Sequence, residues 1–408
     1  MIVPTTKHLL CYIALSILLC ALPLLGLQAQ QDRLSNAAEI SLITAEPGTE
    51  VYSYFGHSAI HIRDTLQGID RIYNYGTFDF DTPNFYGKFV RGQLPYRLAV
   101  GRFDGFLENY SEENRSLYAQ TLNLSLAEKE RLYGLLIENY RPENREYPYD
   151  FFFDNCATRI RDIIAKAVPN NALHFDENPS NPPLTFRQLI DPYIRRNKWL
   201  DWGIDLILGV RTDRIATPYE YQFLPDHLQT AFDKAYIADS TGIRRPLVAN
   251  KFILFKATPN YSPPSWVGRM LTPLVLFPML CVLGIALSWW AQRRGHTLSG
   301  LDYTLLSILG LLGWLLVFCW VGTQHKVLAG NYNLLWAMPL HLPLVFLLPR
   351  FSKTWQRGYW LFTALLALAA CSMALLQQPQ GLHQAVFPIA VLVMFRCMMR
   401  LWALGDTK

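Results

Sequence analysis

Cys156 lies in the run Asp154-Asn155-Cys156-Ala157-Thr158 and is the only cysteine between residues 30 and 265. A lone thiol there has no cysteine in the same stretch to pair with. It is either a small buried apolar side chain or a reactive group. Asp and Asn are favoured helix caps, and Ile160, Ile163, Ile164 and Ala167 recur at helical spacing. The sequence therefore predicts a helix that starts at Asp154 or Asn155, runs to about Ala167 and carries Cys156 in its first turn. Unpaired backbone N–H groups and the positive end of the helix dipole favour a thiolate at that position. The same N–H groups could stabilise charge on an acyl carbonyl as sulfur attacks it. Arg159 and Arg161 follow within two turns and would add positive potential.

A cysteine nucleophile calls for a base, and this stretch holds His57, His61, His174 and His227. His57 is preferred because Phe55-Gly56-His57-Ser58-Ala59-Ile60-His61-Ile62 sets it at the start of a strand, behind a glycine that permits close approach of another element. His61 projects from the same face of a regular strand. The group that would orient the imidazole is open among Asn74, Asp79 and His61, in that order, with Asn74 reaching His57 from a neighbouring strand. His174 and His227 sit among Pro and Asn residues and read as surface residues. One thiolate and no HxxxH helix argue against a zinc site built from His57, His61 and Cys156. No metal or cofactor is expected.

These groups need a scaffold. Ala38 to Ala45, Ser58 to Arg63 and Arg71 to Gly76 read as three adjacent strands, a meander. Leu126 to Tyr140 reads as a helix with Ser125 and Glu128 as a capping box. Residues 176–183 and 217–225 read as loops, and Lys251 to Ser265, with Pro259, Pro263 and Pro264, as a linker. Residues 30–265 thus suffice for one α+β domain.

The apolar residues are unevenly spread. Residues 8–27 form an uncharged run ending in Leu27-Gln28-Ala29, so 1–29 reads as a signal peptide or signal anchor. Cys20 lacks the small preceding residues of a lipoprotein attachment site. Beyond residue 265, apolar runs near 271–291, 302–321, 333–349, 358–376 and 385–401 each approach the length of a spanning helix. About five transmembrane helices over 266–408 are expected. Arg293-Arg294 and Arg350, Lys353 and Arg357 mark cytoplasmic loops, which puts residues 30–265 in the periplasm. Topology accounts for the net charge of +5, which makes no case for nucleic-acid binding.

Gly56-His57 on an early strand, followed about a hundred residues later by Asn155-Cys156 at a helix start, resembles the circularly permuted papain-like proteins, including lecithin:retinol acyltransferase and its relatives. More narrowly, Tyr54-Phe55-Gly56-His57-Ser58-Ala59, Tyr73-Asn74-Tyr75-Gly76-Thr77-Phe78-Asp79-Phe80 and Asp154-Asn155-Cys156-Ala157-Thr158-Arg159 resemble the periplasmic domain of Lnb, the lipoprotein N-acyltransferase of Bacteroidetes. That likeness covers most of residues 35–265, and the apolar C-terminal part also looks like the membrane portion of Lnb-type chains. It implies a bacterial inner-membrane enzyme that moves an acyl chain from a phospholipid, through a Cys156 thioester, to the N-terminal amine of a diacylated lipoprotein. Cys156, His57 and Asn74 would form the catalytic set. Asn155, Asp79, His61 and Arg159 are candidates for orienting or binding groups. His325, Asn331 and Trp336, at the periplasmic side of the third apolar run, are candidates for holding lipid head groups or the lipoprotein N-terminus. Two other functions fit the residues: a papain-like hydrolase using water as acceptor, and a non-enzymatic membrane sensor or assembly factor with a structural Cys156.

Overall fold

The computed structural model describes residues 33–178, 182–239, 241–258 and 266–405. The export segment 1–29 lies outside the described residues. Strands β1 (Glu39–Ala45), β2 (His57–Asp64) and β3 (Ile69–Thr77) pair antiparallel in sequence order, with Ser41 opposite His61 and Ile60 opposite Tyr73. They are the centre of a seven-stranded sheet completed by β4 (Pro95–Arg102), β5 (Leu117–Leu122), β6 (Glu146–Pro148) and β7 (Val248–Phe255), in the order β7-β5-β1-β2-β3-β4-β6. The strand β7 corrects the expectation of a linker from Lys251. Lys251 pairs with Gln120 and Phe252 with Ala119, covering what would otherwise be an open edge of β5.

Helices cover both faces of the sheet. α1 (Phe85–Arg91), between β3 and β4, buries no residue; the covering helices are α2 (Phe103–Glu112), α3 (Leu126–Tyr140) and α4 (Cys156–Ala167). Ser125 and Glu128 close the capping box of α3. Ile60, Ile62 and Tyr73 bury one face against Leu132 and Leu136 of α3 and Ile160 and Ile164 of α4, whereas Ile43, Ala59 and Ile72 bury the other against Phe106 of α2. Removing this apolar area from water is the main driving force for docking the helices. Three further helices, α5 (Phe186–Ile194), α6 (Lys198–Ile207) and α7 (Pro225–Lys234), complete the domain. Residues 217–225 are not a loose loop. They form a helical turn at Pro218–Tyr221 and bury Gln222, Phe223 and Leu224. Phe223 packs on Phe152 and Phe186, at ring-centroid distances of 5.1 and 5.8 Å, and this burial outweighs the turn-forming character of the flanking prolines.

Among the described residues, four helices are long and apolar enough to cross a membrane: α8 (Pro273–Arg293), α9 (Ser299–Val321), α10 (Lys353–Leu376) and α11 (Val386–Gly405). The expected span at 333–349 is not a continuous helix. It comprises a 3-10 turn at Tyr332–Leu335, a short helix at His341–Leu347 and a second 3-10 turn at Leu348–Arg350. Pro339 and Pro349 remove backbone donors at its breaks, and Asn331 draws the Asn333 N–H to its own side chain at 2.9 Å. The interrupted segment follows α9 closely, with Tyr303 and Phe346 stacked at 5.6 Å. Near Ser299, Asp302 accepts from Arg396 at 2.6 and 2.9 Å and also from Arg400, so this buried carboxylate is compensated.

The joint between the two parts lies at the C-terminal end of α6. The last carbonyls of a helix have no intrahelical donor. Here Asn331 donates to Leu206 O at 2.7 Å and Ile207 O at 3.1 Å, Asn333 donates to Leu206 O at 3.1 Å, and Gln380 donates to Leu208 O at 3.0 Å. Loops of the membrane domain therefore cap a helix of the preceding domain. Trp199 adds a bond from its indole N–H to Leu271 O at 2.8 Å, just before α8. Asn331→Ala removes donors from buried carbonyls, a loss of roughly 1 to 3 kcal/mol. We expect a lower thermal-unfolding midpoint and faster proteolysis between the two parts of the detergent-purified protein; a variant as stable as wild type would refute this structural role.

Candidate functional site

The start of α4 is set by its cap. Asn155 Oδ1 accepts the N–H groups of Ala157 and Thr158, both at 2.9 Å, and Thr158 Oγ1 accepts the Asn155 N–H at 2.8 Å. Asn155 Nδ2 donates to Phe151 O and Phe223 O, both at 2.8 Å. Both polar atoms of the side chain are thus committed to backbone groups, and Asn155 positions the helix start. Cys156 follows as the first helical residue and is buried.

His57 opens β2 directly after Gly56, whose φ is +75° and where a Cβ would stand 2.7 Å from Ala45 O. Only glycine allows the chain to turn into β2 so close to β1. His57 Nε2 is hydrogen-bonded to Asn74 Oδ1, and the Cys156 thiol lies within electrostatic reach of the His57 ring. With Nε2 engaged by Asn74, Nδ1 is the ring nitrogen available to take the thiol proton. After Asn74, the β3–β4 register shifts before Thr77, an irregularity of the kind that re-aims strand side chains. Gly76, with φ +83°, lies within it. A Cβ on Gly76 would stand 3.5 Å from Cys156 Cβ and 3.5 Å from Tyr149 Cε2.

The electrostatics favour a charged pair. Burial alone pushes the Cys156 thiol up, but the charge of His57, its hydrogen bond and the backbone N–H groups of Ser58 and Ala157 outweigh burial and hold the thiol below its ordinary value. For His57, burial pulls downward, while the Cys156 charge, its hydrogen bond and the Asn74 contact lift the imidazole above its ordinary value against the opposing charge of Arg115. A lowered thiol beside a raised imidazole titrates as one unit, with a thiolate–imidazolium pair as its reactive form. Tyr149 is pushed well above the usual phenol range, first by burial and then by Cys156.

Of the three residues open as orienting group, the geometry brings Asn74 to His57. Asp79 is exposed and lies 3.8 Å from Arg97. His61 hydrogen-bonds Asp70 at 2.7 Å and stacks on Phe103 at 3.8 Å, so His57, His61 and Cys156 do not converge as a zinc set. Arg159 is engaged by Asp154 at 2.6 and 2.8 Å and lies 3.4 Å over the Tyr147 ring. Arg161 lies over the Tyr219 ring at 3.7 Å and donates to Tyr219 O. Neither guanidinium faces the sulfur as a free cation. Asn331 and Trp336 are buried in the joint, with the Trp336 indole donating to Asn333 at 2.9 Å; packing between the two parts makes them unavailable to a head group. His325 instead rests on α1, with Nε2 3.3 Å from Phe89 O. His174 is exposed and stacks on Tyr236, while His227 meets the edge of Tyr221.

Sequence reasoning missed Arg115, which is buried and lies 4.6 Å over the Tyr110 ring. Its Nη2 has no hydrogen-bond partner among the described residues, and its charge reaches His57. No sequence signal joins Arg115 to His57, because the sheet alone makes them neighbours. Residues able to approach a cation lie elsewhere. Asp201, Asp205 and His383 place ligand atoms within 4.8 Å of one another beside a polar cavity of about 630 Å³. Arg187 already holds Asp205 at 2.8 Å there, and His383 lies 3.8 Å from Asp201.

The fold and site define a membrane protein whose sheet-and-helix domain brings a buried cysteine to a half-buried histidine that is hydrogen-bonded to a half-buried asparagine. The family model of the Lnb N-terminal periplasmic domain matches residues 28–192, and that of the Lnb transmembrane domain matches residues 265–408. The chain is an Lnb-type protein, with a periplasmic domain ahead of its membrane domain. No curated protein and no solved structure gives a significant match.

The paired shifts set a pH signature. Cys156 should react with iodoacetamide at pH values where an ordinary thiol is mostly protonated, and lose that reactivity as pH falls through its lowered value. In His57→Ala the stabilising charge is gone and burial remains, so the profile should move upward past the ordinary thiol range. Alkylation rates against pH, read by peptide mass, check this; superimposable profiles would contradict the pair.

Proposed function

We propose that this protein is a lipoprotein N-acyltransferase of the bacterial inner membrane, with a permuted papain-like periplasmic domain and Cys156 as nucleophile. The observation that carries this reading is Cys156 at the N-terminus of α4, within electrostatic reach of a His57 imidazole that is hydrogen-bonded to Asn74. In the first half-reaction, the Cys156 thiolate attacks an ester carbonyl of a phospholipid. A C–S bond forms, the C–O bond breaks, and the leaving alkoxide takes the proton of the His57 imidazolium. In the second, the neutral N-terminal amine of a diacylated lipoprotein attacks the thioester and gives its proton to His57. An amide forms and the thiolate is released.

Asn74 orients the imidazole without adding a buried charge, and backbone N–H groups at the start of α4 offer stabilisation to the oxyanion. Anchoring the domain to the membrane suits two substrates whose acyl chains lie in a bilayer, since tethering raises their effective concentration. No cofactor enters either step.

The test is expression in a host lacking its own lipoprotein N-acyltransferase, followed by mass measurement of lipoprotein N-termini. Wild type should add the mass of one acyl chain, Cys156→Ser should add none, and His57→Ala should be slower by about 10² to 10⁴. A hydroxylamine-sensitive acyl adduct should be trapped on Cys156. Absence of the mass shift with wild type would sink the reading, and free fatty acid without the shift would identify water as acceptor.

A further inference from the structure

A row of aromatic rings leads away from Cys156. Tyr149 and Cys156 both stand beside Gly76, and Tyr149 stacks on Tyr96 at 4.2 Å. Tyr96 meets Phe78 at 5.3 Å, and Phe78 meets Phe80 at 5.1 Å and Phe85 at 5.8 Å. The row ends on α1 and the turn before it, where Phe80 is 67% exposed and Tyr86 79%, with Phe89 and Val90 about half exposed. Large aromatic side chains left in water on a helix with no buried residue have no folding rationale within this domain.

The position of α1 says what covers it. Gln324 N–H donates to Arg91 O at 2.8 Å. The His325 ring lies against Gly92, with Nε2 3.3 Å from Phe89 O. Gln324 and His325 follow within four residues of Val321, the end of α9. The aromatic face is therefore fastened at the level where a membrane-spanning helix emerges, the depth that aromatic side chains favour at a bilayer surface. Lys88 and Arg91, in the last turn of α1, suit phosphate groups at the same level.

We propose that the exposed aromatic face of α1, with Phe80, lies in the outer leaflet, and that the ring row through Phe78, Tyr96 and Tyr149 is the path by which a phospholipid acyl chain reaches Cys156. The occupant is a phospholipid of the surrounding bilayer, and the path's use rests on the acyl-transfer function. Ring faces in succession offer an acyl chain a largely apolar wall, interrupted only by the hydroxyls of Tyr96 and Tyr149, up to the point where its carbonyl reaches Cys156 and the helix N-terminus. The surface and the site thus form one continuous element.

The test uses the full chain, as Cys156→Ser so that no acyl group is consumed, in nanodiscs of phosphatidylethanolamine and phosphatidylglycerol. A benzoylphenylalanine photocrosslinker replaces Tyr86 in one sample. In a control sample it replaces Leu66, exposed in the turn at the opposite end of β2 from His57. Irradiation should give phospholipid adducts at position 86 at least tenfold above position 66. Phospholipid carrying a diazirine in its acyl chain should label peptides containing Phe78, Tyr96 and Tyr149. Equal adducts at 86 and 66, or adducts at 86 to a second copy of the chain or to a lipoprotein instead of lipid, would overturn the surface. Lipid adducts at 86 without label on the inner rings would overturn the path. Both readouts are independent of turnover, so the surface can fail while acyl transfer stands, and acyl transfer can fail while the surface stands.

Discussion

The cap at Asn155 is the constraint on which the site depends. One amide side chain binds two N–H groups of α4, the carbonyl of Phe151 and the carbonyl of Phe223. It therefore fixes the direction of the helix, the aromatic turn before it and the buried segment at 222–224 relative to one another. Because Cys156 is the next residue, any slack in this cap would move the sulfur away from the His57 imidazole and the Ser58 N–H. A solvent-exposed cap would not suffice. Buried hydrogen bonds without competing water keep the geometry unique.

A second device holds that cap above the membrane. The C-terminal carbonyls of α6 receive donors from Asn331, Asn333 and Gln380, so the two parts of the chain share hydrogen bonds that each helix end would otherwise lack. Arg187 strengthens the same region by bridging Asp205 and Asp213 at 2.8 and 2.9 Å, and Gly381 N–H reaches Asp213 at 2.9 Å. These bonds bury polar residues in a region where loose packing would let the domain tilt. A fixed tilt keeps α1 at one depth beside α9 and the thiol at one distance from the bilayer.

Local signals are legible where the physics is local. The caps at Asn155 and Ser125, the spacing of Ile160, Ile163 and Ile164, and the meander of β1 to β3 follow from residues within a few positions of one another. Signals fail where a distant partner decides. Val248–Phe255 becomes a strand because β5 presents an open edge, and 217–225 folds inward because Phe152 and Phe186 offer it a buried aromatic surface. The run at 333–349 is apolar enough to suggest a helix, but its prolines and the side-chain bonds of Asn331 and Asn333 interrupt it. Those same bonds take Asn331 and Trp336 away from lipid.

By itself the sequence determines the chemistry on offer: a solitary cysteine behind an asparagine cap, a histidine behind a glycine, and apolar runs that commit the C-terminal third to a membrane. Composition and short-range spacing suffice for this, because helix caps, strand alternation and hydropathy act over a few residues. Only the tertiary structure decides which group meets the imidazole. Asn74 wins over Asp79 and His61 because β3 lies beside β2 and brings Asn74 to His57, while Asp79 lies exposed beyond the end of β3 near Arg97, and Asp70 and Phe103 hold His61 elsewhere. Tertiary packing likewise brings Arg115 within electrostatic reach of His57 and lines up Phe78, Tyr96 and Tyr149. Such proximity follows from strand order and close packing, which no residue encodes alone.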